Sequence, residues 1–372
     1  MNTKIEQLLK NKGGNYIFPF FWQHGEKEET LREYMQVIYD SNIRAVCIES
    51  RPHPDYCGPQ WWHDMDIILD EARKKQMKVW ILDDSHFPTG FANGAVEKAP
   101  LELRRQSIYY HTIELDETDT SFSFSLEEGY QIPKSPIGER MDTMAGNQAP
   151  EVQFSDDQIL SVTAVEILEN GNFGREKIIP VEYQARKITG EVESSKWKIF
   201  ISLLTRNAGI HRRYMNMMDK ESCRILIHTV YEAHYNHYSA DFGRTIAGFF
   251  SDEPELGNGE MFHFQNLLGT SQDLPWSREL ESELKEALNG EEFSSLYLLW
   301  ENNGDPKQTS KIRYTYMNIV TRLVEKNFSN QIGDWCRDHG VEYIGHVIED
   351  NNQHARTGSS LGHFFRGLAG QD

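Results

Sequence analysis

Five short apolar runs, each ending abruptly in acidic, aromatic or histidine residues, constrain this chain more than any other feature. They span residues 16–25, 43–51, 77–84, 245–253 and 341–350. Runs rich in β-branched and aromatic residues, without polar alternation, read as strands buried on both faces, the pattern of a parallel sheet. Helical stretches lie between them. Residues 28–41 place Leu31, Tyr34, Met35 and Ile38 on one face, and residues 61–75 do the same with Met65, Ile68, Leu69 and Ala72. A longer helix over 314–339 is stopped by Gly340. Strand and helix in alternation predict an α/β fold built on a parallel sheet.

Residues 106–205 break that rhythm. Stretches 107–115, 121–126, 160–168 and 196–204 alternate at period two between polar turn clusters, which predicts an antiparallel β-domain inserted after the third strand. The expected organisation is a (β/α)8 TIM-type barrel begun by residues 1–105 (strands 1–3) and interrupted by the β-domain 106–205. Residues 206–372 then continue the barrel with strands 4–5, entered through a helix over 219–238. A closed barrel has eight strands. Five leave bare edges, so the expectation is a barrel truncated after about five strands.

Composition narrows the function. Of 372 residues, 38% are hydrophobic and 12% aromatic, enough for a sizeable core. The net charge of -19 repels phosphate backbones and anionic lipid, which argues against nucleic acid or membrane surfaces as partners. No stretch is apolar for long enough to span a bilayer, and the first residues lack a signal-peptide core, so a cytoplasmic location is expected. Cys47, Cys57, Cys223 and Cys336 show no metal-ligand spacing and read as free thiols; nothing in the pattern supports a Cys47–Cys57 bridge.

In a (β/α) barrel the active site is built from the loops that follow the strands. The predicted strand ends carry Trp22, Gln23 and His24; Glu49, Arg51 and His53; Asp83, Asp84 and His86; Asp252, Glu253 and Glu255; and His346, Glu349, Asp350 and Asn351. Acidic, aromatic and imidazole groups at one end of every strand point to a shared bowl. The sharpest motif is 248–255, where an apolar run delivers Asp252 and Glu253 before Pro254 ends the sheet geometry.

Glycoside hydrolysis needs one protonated and one ionised carboxyl across the scissile bond, a difference that burial and a neighbouring charge can create. Glu253 is the predicted acid, with Asp252 in support, unless the two merely cap a helix. Glu349 is the predicted base or nucleophile, unless it is a rim ion pair. Asp83 and Asp84 suit sugar hydroxyls or a hard cation such as calcium, or else order their loop with Arg104 or Arg105. Glu49, Arg51 and His53 form a candidate substrate clamp. Trp22, His24, His86, His346, Asp350 and Asn351 complete the predicted substrate-binding set, and Trp61 and Trp62 are further candidates for stacking on a sugar. His234 and His237, at i, i+3, have a spacing that can hold a metal but on a polar helix surface usually does not; no metal-ligand set is predicted.

The strand end 250–254, the helix that begins at Asp219 and the Asp83–Asp84 pair together resemble bacterial (β/α)8 glycoside hydrolases. Within these the chain resembles the family 106 α-L-rhamnosidases and their uncharacterised relatives, over residues 16–105 and 206–372. The resemblance implies a barrel with accessory β-domains, a pair of catalytic glutamates that includes Glu253, and assistance by Ca2+. The reading is a glycosidase acting on a carbohydrate. Two alternatives stand beside it: a metal-dependent hydrolase, disfavoured by single, separated histidines, and a non-catalytic carbohydrate-binding fragment.

Overall fold

The computed structural model describes residues 5, 6, 9, 10, 17–128, 153–209, 211–258, 268–288, 293–347 and 361–372. In chain order its strands are β1 (Phe20–Trp22), β2 (Ala45–Glu49), β3 (Lys78–Leu82), β4 (Gln106–Leu115), β5 (Ser121–Ser125) and β6 (Gln158–Ile167). They continue with β7 (Phe173–Ile179), β8 (Lys187–Glu191), β9 (Trp197–Thr205), β10 (Ile246–Asp252), β11 (Leu274–Trp276) and β12 (Glu342–His346). The main helices are α1 (Glu28–Asp40), α2 (Pro59–Lys75), α3 (220–238), α4 (Arg278–Ala287) and α5 (306–338).

The five apolar runs form one parallel sheet in the order β1-β2-β3-β10-β12. The sheet is open, with β1 and β12 at its edges, and no closed eight-stranded barrel is formed among the described residues. The fold is thus mixed α/β, a parallel sheet joined to antiparallel ones. Local chemistry sets the helix ends. Asp219 caps α3 by accepting from Ser222 N–H, and Ser277 caps α4 through Leu280 N–H. Pro59 opens α2, and Arg73, Lys74 and Lys75 close it where the helix dipole favours cations.

Side chains alternate across the parallel sheet. On one face Val46, Ile48, Val79, Ile81, Phe249 and Tyr343 pack into the main core with Leu31, Trp61 and Tyr231 of the helices. On the other, Cys47, Trp80 and Leu82 form a small cluster with Phe18, Phe250 and Ile344. Gly248 is required there: a Cβ would come within 2.3 Å of the Trp80 ring. This alternation decides what each strand end can do. Glu49, Asp252 and His346 continue the rows of Cys47, Phe250 and Ile344, on the thinly covered face, whereas Asp83 and Ser251 continue Ile81 and Phe249, beneath the helices.

The antiparallel strands form a five-stranded sheet, β11-β4-β9-β6-β7, and a two-stranded sheet, β5-β8. Phe122 and Phe124 of the smaller sheet pack on Ala164, Ile199, Ile201 and Leu203. Ile108, Val165 and Phe200, of the opposite face, join the main core. Because β11 pairs with β4, the chain returns to this sheet after β10. All four cysteines are free thiols. No helix among the described residues is long and apolar enough to cross a membrane.

Candidate functional site

Arg51 ties two strand ends together. Its Nε and Nη2 donate to Oε1 and Oε2 of Glu49 (2.5 and 2.9 Å), and Nη2 also donates to Oδ2 of Asp252. From β12, Nε2 of His346 donates to Oδ1 of Asp252 (2.6 Å). Three strands therefore feed one charged network, in which Glu49 is 1% and Asp252 9% exposed. Burial pushes the Asp252 carboxyl up, but His346 and Arg51 outweigh it and hold it below the ordinary carboxylate range. Burial also works against the Arg51 guanidinium, and Glu49 and Asp252 more than restore its charge.

Glu253 follows at once, with φ +50°, a left-handed conformation that is costly for a residue with a Cβ and clusters at functional positions. One ligand atom each from Asp252, Glu253 and His346 lie within 4.8 Å of one another. These donors do not fit the calcium that the resemblance implies. Calcium takes oxygen ligands, and both Asp252 oxygens are already committed, to Arg51 and to His346. Entry of a cation would break both bonds beside a fixed guanidinium charge.

The neighbouring acids are spent differently. Asp84 is fully buried: Oδ2 accepts from the backbone N–H groups of Gly90, Phe91 and Ala92 (2.7–2.9 Å), and Oδ1 from those of Asn93 and His86 (2.9 and 3.3 Å). It orders its own loop, without Arg104 or Arg105, and has no oxygen left for a sugar or a cation. Asp83, also fully buried, accepts from Thr89 Oγ1 (2.6 Å), Tyr231 OH (2.7 Å) and Ser251 Oγ (2.5 Å). Burial outweighs those three donors and raises its carboxyl to about 7. It sits under the site and faces α3, so it too departs from the substrate-contact expectation.

Other expectations divide by exposure. His53 has a fully buried side chain between Asp64 and the Asp55 N–H, which removes it from the clamp. Trp61 is core and donates to His234 Nε2 (2.9 Å), while Trp62 stacks on His237 at 4.0 Å. His234 is not on a polar surface: it is buried, donates Nδ1–H to Val230 O, and is pushed down to about 4 by burial. Trp22 is 52% exposed and in register with Glu49, at the rim of the network. His24 is exposed and pairs with Glu26 (2.8 Å). His86, partly exposed, bonds Ser85 Oγ (3.0 Å). Glu349, Asp350 and Asn351 lie outside the described residues.

The structure adds contacts around these strand ends that the sequence pattern did not announce. Thr89 exchanges backbone bonds with β10, its N–H donating to Asp252 O and its Oγ1 accepting from Asp252 N–H, both at 2.8 Å. Tyr214 OH donates to Thr89 O and accepts from Glu255 N–H. His211 Nε2 donates to Glu255 Oε1 (2.7 Å), and both side chains are buried. His211 and Tyr214 belong to an irregular segment between β9 and α3, where no periodicity marks them.

A parallel sheet with a partly buried Glu–Arg–Asp–His network at the carboxyl ends of its strands defines a parallel α/β protein with an acidic strand-end site. Among solved structures, the chain is similar in fold to a rhamnosidase from Novosphingobium sp. PP1Y, with a TM-score of 0.54 and 8% identity over 96% of this chain and 48% of that one. The chain thus spans about half the length of that protein, and at this identity the likeness is one of fold. No family profile and no curated protein matches the sequence.

Proposed function

We propose that this chain carries the acidic site of a glycoside hydrolase of rhamnosidase-like type. The observation that carries the reading is the convergence of Glu49, Arg51, Asp252 and His346 on one face of the strand ends, with Glu253 projecting from the same turn. Glu253 is the general acid. Its place beside Asp252 and His346, at the mouth of the strand, puts a carboxyl where a glycosidic oxygen could be reached. Glu349, three residues beyond His346, is the proposed base or nucleophile. The exposed Trp22 indole offers a surface for the apolar face of a sugar. The fold of the rhamnosidase neighbour supports an α-L-rhamnoside as the first substrate to try.

The test is hydrolysis of a panel of nitrophenyl glycosides. One glycoside is expected to turn over, and Glu253→Gln is expected to lower kcat by about 10²–10⁴-fold with little change in KM. Turnover of none by the parent would remove the reading. Activity that survives Glu253→Gln but disappears on chelation would transfer the chemistry to a metal.

A further inference from the structure

The antiparallel domain carries a cavity of about 650 Å³, lined by none of the parallel strands. That volume falls in the range of small-molecule sites, roughly 300–1,000 Å³. Apolar residues of β6 and β9 contribute to its lining, and α4 provides part of its wall. Three glutamines, Gln106, Gln158 and Gln184, line it, and none of their side-chain amides is bonded to another described residue. Tyr183, also lining it, is 89% exposed. One carboxylate oxygen of Asp156 is buried there without a hydrogen-bond partner, while the other accepts from Arg206 (2.8 Å).

The chemistry of this lining selects a class of ligand. The lining holds four carboxylates, of Glu102, Asp156, Glu182 and Glu281, against the cations of Arg206, Arg278 and Lys285, with Arg206 paired to Asp156 (2.8 Å) and Lys285 to Glu281 (2.7 Å), so it has no surplus of cations to hold an anion. Unbonded amides each offer a donor and an acceptor, as a hydroxyl does. An exposed tyrosine offers a face to C–H groups. We propose that this cavity is a second, non-catalytic site that binds an uncharged oligosaccharide. The glutamine amides take the hydroxyls, and Tyr183 covers one ring.

Native electrophoresis of the protein through gels containing xyloglucan, galactomannan or arabinan tests this, with polygalacturonate as the anionic comparison. Retardation is expected in at least one neutral gel. Tyr183→Ala and Gln158→Ala should each weaken it by about tenfold, equivalent to about 1.4 kcal/mol, and Trp22→Ala at the strand-end site should leave it unchanged. Both positions reach solvent, and unchanged melting temperatures would show that the variants fold. No retardation in any neutral gel, retardation by polygalacturonate alone, or retardation untouched by both cavity variants would overturn the proposal. So would loss on Trp22→Ala, which would assign the binding to the strand-end site. The glycoside assay reads that other site, so either reading can fail without the other.

Discussion

Replacing Asp83 with asparagine should change how the stability of this protein responds to pH. In the folded chain the Asp83 carboxyl titrates at about 7, because burial outweighs the hydroxyls of Thr89, Tyr231 and Ser251 that donate to it. In the unfolded chain it titrates at about 3.9. Between those values the folded state holds a proton that the unfolded state has lost, so the unfolding free energy falls as pH rises. The loss accumulates from roughly pH 4 to roughly pH 7 and levels off above that; at about 1.4 kcal/mol per pH unit it amounts to about 4 kcal/mol. Asparagine has no proton to lose. It keeps one acceptor for Tyr231 and Ser251 but turns a donor toward Thr89, costing about 1 kcal/mol at low pH. The variant should therefore be slightly weaker than the parent near pH 4 and stronger by about 3 kcal/mol at pH 8. Urea unfolding followed by tryptophan fluorescence at several pH values measures this, and taking the difference cancels titrations common to both proteins. A difference that does not move with pH would show that Asp83 is ionised in the folded state, and the argument from burial would fail.

Two further outcomes follow from the same strand ends. Arg51→Met strands Glu49 and Asp252 without their cation and should cost about 3–5 kcal/mol at pH 7 in urea unfolding. Asp252 has a depressed carboxyl, so its contribution is present above its unfolded value and lost as pH falls through the folded one; the penalty should shrink on acidification, and a constant penalty would contradict the ion-pair reading. Asp84→Ala removes the acceptor for five backbone N–H groups between His86 and Asn93. Hydrogen exchange there should accelerate by at least about tenfold, the equivalent of roughly 1.4 kcal/mol of local protection, while exchange in α5 serves as the unaffected reference.

The five parallel strands were legible because each is a compact apolar run, and the observed bounds fall inside the predicted ones. β7 and β8 were not, since their residues are mostly exposed and charged or small, leaving no apolar rhythm, and β11 is only three residues long. The site was legible in a coarser sense. Treating every acid at a strand end as equivalent placed Asp83 and Asp84 with Glu49 and Asp252; pleating separates Asp83 from them, and five backbone N–H donors withdraw Asp84. Glu49 lies two residues from Cys47, Asp252 two from Phe250 and His346 two from Ile344, all on the thinly covered face. Asp83 lies two from Ile81, on the helix face. Parity along the strand therefore sets Asp83, which stiffens the floor, apart from Glu49 and Asp252, whereas Asp84 shares the parity of Leu82 and is withdrawn by its own loop. What parity cannot supply is the partner. Arg51 reaches Asp252 across 201 residues, and His211 reaches Glu255 across 44. Those long-range bonds keep Asp252 ionised and Glu255 in place, so the electrostatics around Glu253 are set by contacts that exist only once the sheet has formed.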